Sequence, residues 1–493
     1  MRRIETNLYW GVWCGGVIYS LYCFAQSSKA FQYMLDPTDF VEGWSLFSRQ
    51  KDNSDYEWLM IQHAIQKHWL WIVLHIFLSQ MCQHLVTTKG LNIFFTGYTT
   101  LFLLLSMSWK ITVCFAVYVL LMFGVHKLGR SYLCFGLTTT VLFFLHNNKH
   151  VNVKSFLIDD EKEGFLLDVG MAWLSARCVS FSLDRIWQGH QTTSWDDVVS
   201  IYGYCFYLPL FFTGPITLYS EFVEQLNTSK HWTANRLINT FMSFLHYLVA
   251  YLMLELFQHF VYSSAIQFYP EVADNFDSWT LCGLGYALPV AFYLKYFVIY
   301  GAAGTLASLD GLAVPPPPKC ISRLHRCTFL WRHFDRGLHL WILRYLYQPI
   351  VGESGKLCKR ILASSVSFGF VSLWHGLDKA VCIWGFFNFV GVASEMLAGW
   401  VSSSRLFQIF QENWLSVSGQ RRFESLCAAP FFMLMCISCI FFLSNWNLGW
   451  KFINKIALGF PVPLLPVLFI MYCGGHVSLD VQEWERRKEK TTT

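Results

Sequence analysis

Charge is what this sequence lacks most. Only 14% of its 493 residues are Asp, Glu, Lys or Arg, where a soluble domain carries about a quarter. Hydrophobic residues make up 54% and aromatic residues 18%, so a water-soluble fold would leave too much apolar surface in water. Paired cysteines are missing too. The 16 cysteines stand singly, mostly within apolar stretches, which argues against a disulfide scaffold. Cys436-Ile-Ser-Cys439 has CxxC spacing, but it lies in an apolar run without a second pair, and neither zinc nor redox chemistry follows from it. No repeat of solenoid period is present, and Pro315 to Pro318 is the single low-complexity tract. Behind Met1-Arg2-Arg3 there is no small-residue cleavage site, so the opening apolar run is expected to stay as a span.

Long apolar windows are abundant. A helix needs about 20 mostly apolar residues to cross a hydrocarbon core about 30 Å thick, and windows of that kind cover 7–25, 69–86, 237–262, 279–300, 380–400, 428–445 and 456–473. Between Leu91 and His146 only Lys110 and the Lys127 to Arg130 cluster interrupt the run, which predicts three short spans with tight turns. The stretches 165–187 and 201–218 carry Arg177, Asp184, Arg185 and Gly214-Pro215, and suit re-entrant or protein-buried segments. The predicted fold is all-α: a polytopic membrane protein with about ten transmembrane helices plus re-entrant segments. It is expected to form a single membrane domain over 1–493, with N-terminal spans in 1–130 and a core in 131–475. Arg2 and Arg3 at one end, and Arg486, Arg487, Lys488 and Lys490 in the tail 476–493, predict both termini in the cytoplasm. Segment 26–58 has three basic residues, Lys29, Arg49 and Lys51, against six acidic ones, as expected of a lumenal loop. Asn227-Thr-Ser229 matches a glycosylation sequon and counts only if its loop faces the lumen.

Polar residues concentrate in 310–376. Four prolines force an extended stretch, and between 315 and 360 nine basic residues face only Asp335 and Glu353. One reading is a cytoplasmic loop, 313–360, obeying the positive-inside rule. Another is a surface for a polyphosphate, because guanidinium forks match phosphate oxygens; anionic lipid headgroups would serve as well. Asp335 and His339 are spaced i, i+4, so on a helix they share a face, for a local ion pair or for a site. His375 ends an apolar run in Trp374-His375-Gly376. An imidazole at membrane depth is a functional candidate or a hydrogen-bonding partner for a neighbouring helix. Glu255 and Lys295, also inside apolar windows, are expected to hold the bundle together.

These residues carry a family likeness. Trp331-Arg332-x-Phe334-Asp335-x-Gly-Leu338-His339, then Arg344-Tyr345-x-Tyr347-x-Pro349 and Trp374-His375-Gly376, resemble the membrane-bound O-acyltransferase (MBOAT) superfamily, and within it the hedgehog acyltransferase branch. Glu57-Trp58, Tyr207-x-Pro209, Gly214-Pro215, Ser220-Glu221-Phe222, Leu309-Asp310-Gly311-Leu312 and Pro318-Lys319-Cys320 extend the resemblance over essentially the whole chain. It implies an MBOAT fold in the endoplasmic reticulum or Golgi membrane. The implied reaction moves a palmitoyl group from palmitoyl-CoA, the acyl donor, to the N-terminal cysteine amine of a Hedgehog-family protein. It implies His375 and Asp335 as catalytic residues, the Asp segment toward the cytoplasm and the His toward the lumen. Around them Trp331, Arg332, His339, Arg344 and Trp374 are expected to bind substrate. Some members of the branch bind haem through a cysteine after the Pro-rich loop, which implies haem b at Cys320; a free or palmitoylated juxtamembrane cysteine is the alternative. The expected partners are the Hedgehog N-terminus, palmitoyl-CoA and membrane lipids, with no nucleic acid and a monomeric state. One departure is Ser444-Asn445-Trp446-Asn447, where the family has a Gly-Gly-Asn run.

Acyl transfer from a thioester to an amine needs a deprotonated nucleophile and a stabilised oxyanion, while the thiolate leaves readily. A histidine, with an unperturbed pKa of about 6.5, suits the proton transfer. His375 is therefore the expected general base. Asp335, 40 residues earlier, is expected near the thioester or in organising the passage. The cysteines lack an adjacent base, so a covalent acyl-enzyme is not expected. Rival readings are an MBOAT enzyme with a hydroxyl or lipid acceptor, a transporter, and a catalytically silent regulator. A transporter would show inverted repeats, and none is present.

Overall fold

A computed structural model describes residues 3–146, 157–158, 161–189, 194–228, 233–323 and 325–492. Arg2 and Ser229 of the sequon lie outside the described residues. The chain is almost entirely helical; one short antiparallel hairpin, Phe40–Glu42 with Gln50–Asp52, pairs Phe40 with Asp52 and Val41 with Lys51. Polar side chains start many of the helices: Asp55, Thr87, Ser108, Thr233, Asp277 and Ser416 each accept a backbone N–H in the first turn, satisfying donors that a helix leaves unpaired.

Among the described residues, eight helices are long and apolar enough to cross a bilayer: Arg3–Ala30, Trp109–His126, Lys162–Trp187, Ala234–Phe260, Ser278–Leu309, Lys379–Ser402, Val417–Leu443 and Leu464–Lys490. Tyr56–Leu85, Thr88–Ser106, Ser131–His146 and Leu357–Trp374 complete the bundle. The three short helices between 88 and 146 stand where the sequence predicts them. Burial separates interior from periphery. The apolar window of Lys162–Trp187 is 78% buried, that of Ala234–Phe260 only 11%. The first is a protein-enclosed segment, as Arg177 and Asp184 require; the second turns Leu237, Phe241, Phe244 and Met253 outward, where lipid would cover them.

Two predicted boundaries shift. The window 456–473 is broken: a π-helical turn at Ile453–Ala457 precedes a non-helical stretch, and the last helix begins at Leu464. The segment read as a cytoplasmic loop, 313–360, carries helices of its own and is partly buried. After the prolines it folds as Cys327–His333, Arg336–Ile342, a π-helical turn Leu343–Tyr347 and Gln348–Val351. Gly337, Leu338, Trp341 and Tyr345 are buried, a helical spacing that the outward basic residues conceal in the sequence.

The described ends of the chain meet on one face. Trp10 Nε1 donates to Asp480 (2.9 Å), Tyr9 stacks on His476 (4.2 Å between ring centroids) and Arg422 pairs with Glu5 (2.7 Å). Lys319, just after the prolines, reaches Glu485 on the same face (3.1 Å).

Candidate active site

The site begins where the Pro-rich stretch enters the bundle. Helix Cys327–His333 has no capping side chain of its own. Glu395 supplies one from another helix, accepting the N–H of Cys327 (2.6 Å) and of Thr328 (3.1 Å). Trp331 lies between Phe368 (5.0 Å) and Trp384 (5.4 Å) and donates its indole N–H to Asn388 (3.2 Å), while Arg332 points outward and is exposed.

The turn that follows presents Asp335 at the start of helix Arg336–Ile342. Both carboxylate oxygens are occupied: Leu338 N–H donates to Oδ1 (2.9 Å) and Tyr300 O–H to Oδ2 (2.8 Å). The carboxylate turns to these donors rather than to His339, so the i, i+4 pair forms no ion pair. Gly337 has a steric reason. A Cβ there would stand 2.5 Å from the Ile216 carbonyl oxygen, so this helix can press against the irregular 212–218 backbone only with glycine. Arg344, in the π-helical turn, pairs with fully buried Asp184 (2.7 Å) and lies over the Tyr345 ring. Burying Asp184 requires such a partner.

His375 follows the last residue of helix Leu357–Trp374. Trp374 is buried against Trp173 (5.9 Å), and the chain then reverses through Gly376 (φ 107°) and Leu377 (φ 58°). A positive φ at leucine is strained backbone of the kind that gathers at functional sites. His375 is exposed. It stands edge-on to Phe442 (4.9 Å) and Trp384 (5.6 Å), and among the described residues its nitrogens form no hydrogen bond. The residue is thus open to its surroundings rather than enclosed on every side by hydrocarbon.

Aromatic rings join the two turns. Phe442 contacts Phe292 (5.8 Å), and Phe292 stacks on Phe334 (5.5 Å), the neighbour of Asp335. A chain of ring contacts, His375–Phe442–Phe292–Phe334, thus links the two turns, and no hydrogen bond joins His375 to Asp335 among the described residues. Behind Asp335 runs a polar chain that the sequence does not reveal. Tyr300 packs on Tyr296, Tyr296 O–H donates to Glu57 (2.7 Å), and Lys295 pairs with Asp55 and Glu57 (2.8 Å each). Lys295 and Glu255 do hold the bundle together, but each through the N-terminal segment rather than through the other: Glu255 takes Lys51 (2.6 Å) and Gln62 (2.9 Å). Sequence reasoning also misses Tyr300 and His146, whose ring nitrogen lies 3.1 Å from the Trp374 carbonyl. Their partners are 35 and 228 residues away, so no local pattern marks them.

Cys320 directly precedes Ile321 and Ser322, which help line an apolar cleft partly open to its surroundings. Trp13, Tyr286, Leu330 and Phe432 also form its walls. Among the described residues no cluster of three or more His, Cys, Asp or Glu could hold a bare metal ion. A haem needs an axial thiolate that faces an apolar slot, and Cys320 is not among the residues that line this cleft, so the cleft does not fit a haem held by that thiol.

Comparison with known proteins agrees with this arrangement. Residues 131–446 match the model of MBOAT, the membrane-bound O-acyltransferase family. Protein-cysteine N-palmitoyltransferase HHAT of Mus musculus is 32% identical over 278 residues, which is 56% of this chain and 56% of that one. Two matches run nearly end to end: the HHAT-like protein of Mus musculus at 27% identity (98% of this chain, 97% of the relative), and the N-palmitoyltransferase Rasp of Drosophila melanogaster at 24% (96% and 94%). The family match spans both turns, the Asp335 segment and the exposed His375, and the chain is a membrane-bound O-acyltransferase.

Proposed function

We propose that the chain transfers a palmitoyl group from palmitoyl-CoA to the N-terminal cysteine amine of a secreted protein of the Hedgehog class. The observation that carries the reading is the exposed His375, whose imidazole has no hydrogen bond among the described residues, linked through a chain of aromatic rings to the turn that holds the fixed Asp335 carboxylate. The relatives' names, protein-cysteine N-palmitoyltransferases, supply the class of donor and acceptor.

In the reaction, His375 removes a proton from the acceptor nitrogen, which attacks the thioester carbonyl. The tetrahedral adduct then collapses, the C–S bond breaks, and the coenzyme leaves as its thiolate. The proton on His375 neutralises that thiolate or passes to water, leaving an amide. General-base help of this kind is worth about 10²–10⁴-fold, and it requires an imidazole nitrogen free to take up and release a proton. Asp335 has a different task. With Tyr300 and Leu338 holding both oxygens, it fixes the wall beside the donor instead of exchanging protons. Arg332, exposed at the same turn, faces the phosphates of the coenzyme. His339, Trp331 and Trp374 shape the donor's path, and Arg344 braces it through Asp184. No acyl-enzyme is required.

The face holding both described termini is cytoplasmic on this reading, as the basic residues of the tail and of 319–360 favour, and the membrane is that of the endoplasmic reticulum. The haem that the resemblance implies would be held by Cys320 outside the apolar cleft. A Soret band in the purified protein that disappears in Cys320→Ser supports this; a band unchanged by the substitution refutes it.

The function is tested by incubating purified protein with labelled palmitoyl-CoA and two peptides, one with a free N-terminal cysteine and one with that amine blocked. Label confined to the free peptide is the expected result. Equal labelling of the blocked peptide would move the acceptor to a hydroxyl or thiol.

A further inference from the structure

We infer that His146 is a positioning residue for His375, an inference that rests on the general-base reading of His375. His146 is the last residue of helix Ser131–His146, and the fold brings it to the turn that carries His375. Its Nε2–H donates to the Trp374 carbonyl (3.1 Å), the peptide oxygen immediately before His375. On the other side its ring lies against Gly376, where a Cβ would come within 2.9 Å of His146 Cδ2. One imidazole therefore holds the backbone both before and after His375.

The turn needs that support. The last carbonyls of a helix have no N–H within the helix to accept. Here His375, Gly376 and Leu377 donate back to Val371, Leu373 and Ser372 (3.1 Å each). None of these bonds uses the Trp374 carbonyl, and His146 supplies its donor. Beyond it lie two successive positive φ angles, one at leucine, which are maintained only where neighbours fix them. The His375 ring has edge contacts with Phe442 and Trp384 but no hydrogen bond among the described residues, so its direction comes from its backbone. A carbonyl free to rotate would swing the imidazole by a fraction of an ångström or more, and reactions of bound partners are sensitive to misplacement on that scale.

The test uses the full chain, palmitoyl-CoA and the free Cys-terminal peptide, with thermal melting to confirm that each variant is folded. His146→Ala is expected to lower kcat about tenfold, as for loss of one aligning hydrogen bond, with the donor KM within about twofold of wild type. His146→Gln, whose amide N–H can replace the donor, is expected to recover most of the rate. His375→Ala run alongside should be nearly inactive, and adding His146→Ala to it should cost nothing further. Wild-type kcat in His146→Ala beside an inactive His375→Ala would overturn this inference and leave the general base standing. Equal slowing by Ala and Gln, or an additional loss in the double variant, would also overturn it. Normal turnover by His375→Ala would instead remove the general base, and this inference with it.

Discussion

His375 and Asp335 occupy similar places and are held in opposite ways. Each sits at a helix end, in a turn, at one end of the ring chain Phe442–Phe292–Phe334, which His375 touches directly and Asp335 adjoins through its neighbour Phe334. The carboxylate has both oxygens taken by Leu338 and Tyr300, whereas His375 is exposed and its imidazole lacks a hydrogen bond among the described residues. A group that must take a proton from a substrate needs a nitrogen left open to it. A group that shapes a wall is best saturated. The two residues of one motif are thus held differently, as the proposed roles of base and wall require, and the sequence pattern alone does not distinguish them.

The comparison can be broken most sharply at the imidazole. His375→Ala should lower kcat about 10²–10⁴-fold while the protein still binds a non-hydrolysable palmitoyl-CoA analogue; equal losses in binding and turnover would make His375 a docking residue instead. A smaller effect is expected at Asp335's clamp. Tyr300→Phe removes one hydrogen bond to a carboxylate, a loss of about 1.5–3 kcal/mol where the group is buried. Turnover should fall about tenfold or more without a change in which peptide is accepted. Unaltered turnover would mean that the occupied oxygen has no bearing on the reaction.

The smallest effect comes from a second saturated carboxylate, placed outside the spans. Asp52, at the end of the hairpin, accepts the N–H groups of Ala265 (3.0 Å) and Ser54 (3.1 Å). Burial pushes its carboxyl up from 3.8 to about 6, against the opposing pull of those amides. The folded hairpin therefore holds its proton more tightly than an open one. Its docking should be firmest below about pH 4 and weaken as pH rises toward 6, by at most about 3 kcal/mol at 1.36 kcal/mol per unit. Hydrogen exchange at Val41 and Lys51, corrected for intrinsic rate, should be faster at pH 7 than at pH 5. Asp52→Asn should flatten that dependence, and a slope that survives the substitution would point to another group. Activity with the free peptide should hardly change in the variant, unlike in Tyr300→Phe.

The sequence made the bundle legible because lipid-facing and core-facing positions are both apolar, and length does the rest. It was less legible wherever polar residues face inward. Tyr56–Leu85 begins well before the apolar window at 69, since Glu57 and Gln62 meet Lys295, Tyr296 and Glu255 inside the protein. The break before Leu464 was hidden by apolar residues on both sides of it. In the site, His375 and Asp335 could be named from spacing and family pattern. Tyr300, Asp184 and His146 could not, because each meets its partner through the fold alone. The basic 319–360 stretch looked like a loop because its charges mask the buried Leu338, Trp341 and Tyr345 face.

Everything proposed for the chemistry requires that the His375 ring be open to a reagent and covered by the acyl donor. Diethyl pyrocarbonate labelling of the purified protein, read by peptide mass spectrometry with and without a non-hydrolysable palmitoyl-CoA analogue, tests both at once. Modification at His375 in the free protein and protection by the analogue are predicted. A ring that stays unmodified while other exposed histidines react, or one that reacts equally well with the analogue bound, would contradict the account.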